Sequence, residues 1–161
     1  MLSYSFFWGY LGLNMGVVNN NLDSWQKMAV AAAMVMRMSA NYELFDEITQ
    51  SNNARKFNGI LALVWEFLAG DNQAIDFEKQ QNKLEQIIPN PEDFDFYGVW
   101  PAMDATTGLM VLLEACQNTG ITDEDFNSVL RLSQSTIEAY GGFREDEQVT
   151  EVLLCAEQAF I

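Results

Sequence analysis

Histidine is absent from this 161-residue sequence, and its absence removes whole classes of chemistry. Without imidazole there is no Ser/His/Asp or Cys/His nucleophilic system, no histidine general base and no zinc site with histidine ligands. The two cysteines, Cys116 and Cys155, lie far apart in the sequence and cannot form a metal site by themselves. No glycine-rich motif that binds phosphate or a dinucleotide is present. We therefore predict no catalytic residues of these kinds, no cofactor and no metal centre.

Basic residues are scarce as well. Eight Lys and Arg stand against 23 Asp and Glu, which gives a formal net charge of -15. This charge opposes binding to nucleic-acid phosphates and to anionic membranes, and it favours a basic protein partner instead. The first 22 residues carry no charge, but glycines interrupt them and no basic residue precedes Lys27, which is typical neither of a membrane span nor of a secretory signal. We expect a cytoplasmic protein with buried, reduced thiols.

The length and a hydrophobic content of 49% predict one globular domain. Apolar residues recur at helical spacing, and no strand-like alternation is evident. The pattern predicts seven helical segments: 23–39, 42–49, 54–69, 76–88, 101–118, 122–140 and one from 145 onward. Asp23 with Gln26 forms a capping-box arrangement at the first start, and Gly141 with Gly142 ends the sixth helix. The predicted fold is an all-α, single-domain bundle of about six or seven helices, with 1–21 as an apolar, aromatic extension and 22–161 as the domain.

A short acidic and aromatic segment is the candidate partner-binding site. Its members are Glu92, Asp93, Asp95, Tyr97, Trp100 and Asp104. On one interpretation the acids attract a cationic group while the aromatic rings supply contact area. On the other, Phe94, Phe96 and Trp100 anchor the loop in the core, and the acids lie near free amides at helix starts. Residues 84–130 contain nine acids and no basic residue, which is typical of a solvated face and also suits a cationic partner.

Isolated carboxylates offer a second kind of site. Glu66 has apolar or small neighbours, so we predict a buried carboxylate, either paired with Arg37, Arg55 or Lys56 or acting as an acid of raised pKa. The E-x-x-D spacing of the pairs 43/46 and 92/95 also suits magnesium, although such pairs arise by chance in an acidic chain.

Several short motifs resemble one bacterial family. They are Ser24-Trp25-Gln26, Asn41-Tyr42 with Phe45, Trp65-Glu66, and the run EDFDFYGVWPAMDA over residues 92–105. Together they resemble the YjaG-like family, numbered 416 among domains of unknown function, over about residues 22–140 with a looser match to 161. The resemblance implies a small, soluble, all-α cytoplasmic protein and no assigned activity. The N-terminal segment looks additional to the family pattern, and the C-terminus looks shorter.

These features favour a non-catalytic, acidic helical binding protein, of which an immunity- or antitoxin-type inhibitor of a basic protein is one form. One alternative is a carboxylate-based, metal-assisted enzyme that uses Glu66, Asp95 and Asp104. Another is a structural or self-associating protein whose N-terminal aromatic residues form a homo-oligomer.

Overall fold

A computed structural model describes residues 21–70 and 74–144, with side chains described up to residue 140. These ranges contain five α-helices: α1 (Ser24–Thr49), α2 (Ala54–Leu68), α3 (Phe77–Glu85), α4 (Val99–Gln117) and α5 (Asp123–Arg144). A 3-10 turn, Pro91–Asp93, precedes α4, and no strand occurs in the described ranges, which confirms the all-α class. Among the described helices, none has the length and apolar character needed to cross a bilayer.

Within the described residues there are five helices rather than the six predicted there, because the first two predicted helices form one. Helix α1 runs for 26 residues. The hydroxyl of Ser39 does not break it, since it donates a hydrogen bond of 2.7 Å to the Met36 carbonyl inside the helix. The capping box is confirmed. The backbone amide of Gln26 donates to the Asp23 carboxylate at 2.8 Å, and the backbone amide of Asp23 donates to the side-chain oxygen of Gln26 at 2.9 Å.

Helix α5 also differs from its prediction. It continues through Gly141 and Gly142 to Arg144, the last described residue. Glycine inside a helix costs only about 1 kcal/mol relative to alanine, so two glycines do not force an end. Three predicted features lie outside the described residues: the helix from 145 onward, Cys155, and the extension at residues 1–21 apart from its last residue, Asn21.

Helices α1 and α4 form the central pair of the bundle. Helix α1 contacts α2, α4 and α5, and α4 contacts all four other helices. The two backbones approach closely at Gly108, where a Cβ atom would lie 3.0 Å from Val35 Cγ2 and 3.2 Å from Met38 Cε. Because Val35 and Met38 are buried, a side chain at this position would need these two residues to shift by a few tenths of an ångström.

The C-terminal half of α1 is held by Tyr42, which is fully buried. Its ring stacks on Phe57 of α2 with centroids 4.7 Å apart, and its hydroxyl donates a hydrogen bond of 2.8 Å to the Ile87 carbonyl. Burial, and to a lesser extent the Asp46 carboxylate, raises the pKa of this phenol well above its ordinary value. Tyr42 therefore joins α1 to α2 and to the segment that follows α3.

We predict that Tyr42→Phe lowers the free energy of unfolding by about 1 to 2 kcal/mol, because it leaves the Ile87 carbonyl without its donor. The ring and its stacking on Phe57 are retained, so helix content should not change. Urea unfolding followed by circular dichroism measures the difference. An unchanged midpoint would show that the carbonyl finds another donor.

Candidate functional site

The loop before α4 is anchored by two of its aromatic residues. The ring of Phe94 meets Phe45 of α1 edge-on at 5.0 Å, and the ring of Phe96 stacks on Phe45 at 5.9 Å. For these two residues, the interpretation in which the aromatic rings anchor the loop in the core is confirmed. The same interpretation is wrong for Trp100 in the first turn of α4, which leaves 52% of its surface exposed. Val99 and Pro101 on either side of it face the core instead.

The three acids of the loop face solvent. Glu92, Asp93 and Asp95 are all exposed, and the 3-10 turn that carries the first two is capped by the Asn90 side chain, which accepts from the Glu92 amide at 3.2 Å. The loop therefore presents its carboxylates outward while its phenylalanines hold it in place.

A cleft of about 310 Å³ opens where this loop meets α1 and α5. Nine residues line it: Asn41, Leu44, Phe45, Tyr97, Gly98, Pro101, Thr136, Ile137 and Tyr140. Most of these side chains are aromatic or aliphatic, and Leu44 leaves 55% of its surface exposed at the cleft. Gly98 is required by close packing, since a Cβ atom there would lie 2.9 Å from Phe96 Cε2.

Asp104 contacts Thr136, one of the residues that line the cleft. Its carboxylate accepts a hydrogen bond of 2.7 Å from the Thr136 hydroxyl, and the Tyr97 hydroxyl donates to the Thr136 carbonyl at 3.4 Å. Burial raises the pKa of Asp104 above its ordinary value, and the Thr136 hydrogen bond opposes this only in part. The pKa of Tyr97 is raised mainly by burial, and further by the nearby Asp104 and Tyr140.

Of the six predicted site residues, Tyr97 lines the cleft and Asp104 contacts the lining residue Thr136. Trp100 is exposed on the same helical turn as Pro101. Sequence reasoning missed the contributions of α1 and α5, above all Leu44 and Thr136. The available signal was the apolar spacing of α5, which continues through Ile137 and Tyr140 beyond the buried part of the helix.

A second groove of about 520 Å³ lies at the other end of α4 and includes Phe67, Asp76, Glu78 and Cys116. Its polar groups already have structural roles or little reactivity. The Asp76 carboxylate accepts from the Lys79 amide at 2.9 Å as the cap of α3. The Cys116 thiol is buried, as predicted, and burial raises its pKa to about 12, which leaves little thiolate for nucleophilic attack. The smaller cleft is therefore the better candidate site.

The prediction of a buried Glu66 is wrong, because this residue is exposed. It lies nine residues after the buried Phe57, on the opposite face of α2, where its neighbours Ala62 and Ala69 are exposed as well. The ion pair that the described residues form joins Lys27 to Asp123 at 2.6 Å instead.

The carboxylates of the predicted metal-assisted enzyme do not converge. Glu66 is adjacent to Phe67, which lines the same groove as Cys116, and Cys116 lies roughly 18 Å along α4 from Asp104. Within residues 21–70 and 74–144, no three Asp, Glu or Cys side chains come together in a way that could hold a metal ion.

The magnesium pair 43/46 has a structural role instead. Glu43 accepts a hydrogen bond of 2.6 Å from the Asn58 side chain. Asp46 accepts from the Ser51 hydroxyl and, at 2.7 Å, from the Asn53 amide. Although burial opposes it, these bonds and one from the Ala54 amide hold the pKa of Asp46 below its usual range. The two carboxylates therefore tie α1 to the start of α2.

We predict that at neutral pH Asp104→Asn is at least as stable as the wild type. Because solvent screens this carboxylate, any gain in the free energy of unfolding should be less than about 1 kcal/mol. The folded chain holds a proton on Asp104 more tightly than the unfolded chain, so wild-type stability is lost as the pH rises from 3.8 through the raised folded pKa. The amide can still accept from Thr136 and does not titrate. Thermal unfolding between pH 3 and 8 measures both proteins.

Glu92→Gln is the control for the change in net charge, since Glu92 is exposed in the neighbouring loop. A stability difference between wild type and Asp104→Asn that does not vary with pH would contradict the prediction.

Comparisons with known proteins agree on one family. A family model described as a protein of unknown function (DUF416) matches residues 18–160. An uncharacterized protein of Haemophilus influenzae is 43% identical over 96 residues, which cover 59% of this chain and 49% of the relative. The uncharacterized protein YjaG of Escherichia coli is 35% identical over 116 residues, which cover 72% of this chain and 59% of the relative. The chain thus matches about half the length of these curated relatives.

The fold is shared with a solved structure. A crystal structure of a DUF416 family protein from Shewanella baltica OS155 superimposes with a TM-score of 0.73 at 30% sequence identity, covering 86% of this chain and 72% of that one. Together with the family match over residues 18–160, this identifies the chain as a member of the DUF416 family of YjaG-like proteins.

Proposed function

We propose that this protein is a non-catalytic binding protein that recognises a basic protein partner. The proposed surface combines the acidic loop before α4 with the cleft between α1, α4 and α5. The observation that carries the proposal is that the exposed acids Glu92, Asp93 and Asp95 belong to the same loop as Tyr97, which lines an open, mostly apolar cleft. Aromatic contact area beside unpaired charge is characteristic of binding hot spots.

The exposed acids of the loop support the choice of partner. Glu92, Asp93 and Asp95 face solvent at the entrance of α4. In a chain of net charge -15 they would attract a basic surface and accelerate the encounter. Trp100 and Tyr140 leave 52% and 38% of their surfaces exposed and would supply apolar contact area.

Acids elsewhere in the 84–130 run are not part of the proposed surface. Two of them have structural roles at the other end of α4. Asp123 pairs with Lys27, and Asp125 accepts a hydrogen bond of 2.7 Å from the Thr122 hydroxyl at the start of α5. The proposed surface is therefore confined to the loop and the cleft rather than spread over the whole run.

An immunity- or antitoxin-type inhibitor in the cytoplasm is one concrete form of this proposal. It would bind a basic protein through complementary charge and block that protein's own surface. The buried thiol of Cys116 suits a reducing compartment.

The test is affinity capture from the native host with immobilised wild-type protein and two charge-reversed double variants. Asp93→Lys with Asp95→Lys reverses the proposed surface. Glu66→Lys with Glu78→Lys makes the same change in net charge on exposed residues near the other end of α4. We expect wild type and the control to retain a basic protein that salt releases, and the first variant to retain at least about tenfold less.

Retention of no basic protein, or equal losses in both variants, would contradict the proposal. Recovery of a second copy of this chain instead would favour self-association. Equal unfolding midpoints for the three proteins exclude a loss that comes from misfolding.

A further inference from the structure

We propose that residues 145–161, here called the C-terminal segment, form an amphipathic helix that folds back along α1 and covers the cleft between α1, α4 and α5. The segment follows α5 and lies outside the described residues. The inference goes beyond the proposed function and does not depend on it, because the occupant belongs to this chain. Three observations support it: the lining of the cleft, an uncovered apolar stripe on α1, and the starting point and pattern of the segment.

The lining of the cleft favours an apolar occupant. Its nine residues include no carboxylate and no basic side chain, so the lining does not select an ion. Leu44, Pro101 and Ile137 come from three different helices and present aliphatic surface to the same space. Covering such surface is favourable by about 25 cal/mol per Å², and it requires only that the covering side chains are apolar.

The outer side of α1 continues this apolar surface. Met36, Ala40, Leu44 and Ile48 follow one another every four residues, and all four are exposed. The three large side chains, at positions 36, 44 and 48, leave 59%, 55% and 56% of their surfaces exposed. A helix that is apolar around most of its circumference is typical of one that is covered on most sides. In the described part of the chain, this side of α1 has no such cover.

The chain leaves α5 close to the cleft. Helices α1 and α5 run in the same direction, since Lys27 pairs with Asp123 near both starts and Leu44 and Ile137 line the cleft farther along. Arg144, the last described residue, is about two helical turns beyond Ile137. As a helix, the C-terminal segment would be about 25 Å long. If it reverses direction after Arg144, it can therefore pass over the cleft and along the exposed stripe of α1.

The sequence of the C-terminal segment matches this surface. Its apolar residues recur at the three-and-four spacing of one helical face, and Glu147 and Glu151 fall on the opposite face. The apolar set is Val149, Val152, Leu153, Ala156 and Phe160. The family model matches through residue 160, so this pattern is part of the family's domain. Docking would bring the apolar face onto the cleft and leave these two acids in solvent.

The segment would compete with a protein partner for the cleft but not for the loop before α4. Glu92, Asp93 and Asp95 are exposed and are not among the lining residues of the cleft. A basic partner could therefore meet the loop acids directly, whereas contact with the cleft would require that it displace the segment.

The experiment attaches a nitroxide spin label to Cys155 of the full chain and records the amide signals of the ¹⁵N-labelled protein. Cys116 is buried and its pKa is raised to about 12, so it should not react, and mass spectrometry checks that each chain carries one label. We expect the label to remove most of the amide signal of Ala40, Leu44 and Thr136. Amides of α3, which packs on α2 and α4, should keep their signal.

Two matched double variants test the apolar face of the segment. Val152→Glu with Leu153→Glu places charge on the proposed docking face, so it should restore the signal of the three amides. Gln148→Glu with Gln158→Glu makes the same change in net charge outside that face and should leave the signal loss unchanged.

A single substitution tests the contact from the side of α1. Leu44→Gln removes exposed aliphatic surface from the cleft and should restore most of the signal of Ala40 and Thr136. Ile88→Gln is its control, because it changes an exposed aliphatic residue that does not line the cleft, and it should restore none.

Signal loss confined to the end of α5, equal loss in α3 and α1, or a loss that survives Val152→Glu with Leu153→Glu would each overturn the inference. A second sample mixes spin-labelled chains lacking ¹⁵N with unlabelled ¹⁵N chains. The same loss in that mixture would assign the cleft to a second copy and would also overturn it.

The proposed function fails separately. If capture ignores Asp93 and Asp95 while the label reaches the cleft, the basic partner falls and the covered cleft stands. If capture depends on those two acids while the label leaves the cleft signals unchanged, the basic partner stands and the docked segment falls.

Discussion

The close packing of α1 against α4 is the constraint on which the other features depend. At Gly108 the two helices approach so closely that a Cβ atom would lie 3.0 Å from Val35 Cγ2. Because protein interiors are close-packed, this contact leaves little room for a side chain between the two helices at that point. Leu44 of α1 and Pro101 of α4 line the cleft farther along the same pair of helices.

The cleft is an extension of the hydrophobic core that remains open to solvent. In the first half of α5, Phe126 and Val129 are fully buried, whereas Ile137 is half-buried and Tyr140 is exposed. The same helical face that packs on α4 thus continues beyond the covered region. In the described part of the chain, this apolar surface lies beside the hydrogen-bonded pair of Asp104 and Thr136.

The acidic residues have distinct roles that net charge alone does not separate. Asp46 and Asp76 stabilise helix ends or the loops between helices, and Asp123 neutralises the largely buried Lys27. Such carboxylates satisfy backbone amides or a cation inside the fold. The loop acids make no such contact among the described residues, and Asp93 and Asp95 project into solvent. The second group is the one that the proposed function uses.

The sequence by itself determined the all-α class, the capped start of α1 and the family, because helical spacing, the Asp23 cap and the motif at 92–105 are local properties of the chain. Tertiary structure alone decided that Glu66 is exposed, that α1 is continuous and that Thr136 meets Asp104. Burial and contact between distant segments depend on how helices pack, and periodicity identifies an apolar face without saying how far along it a neighbour extends.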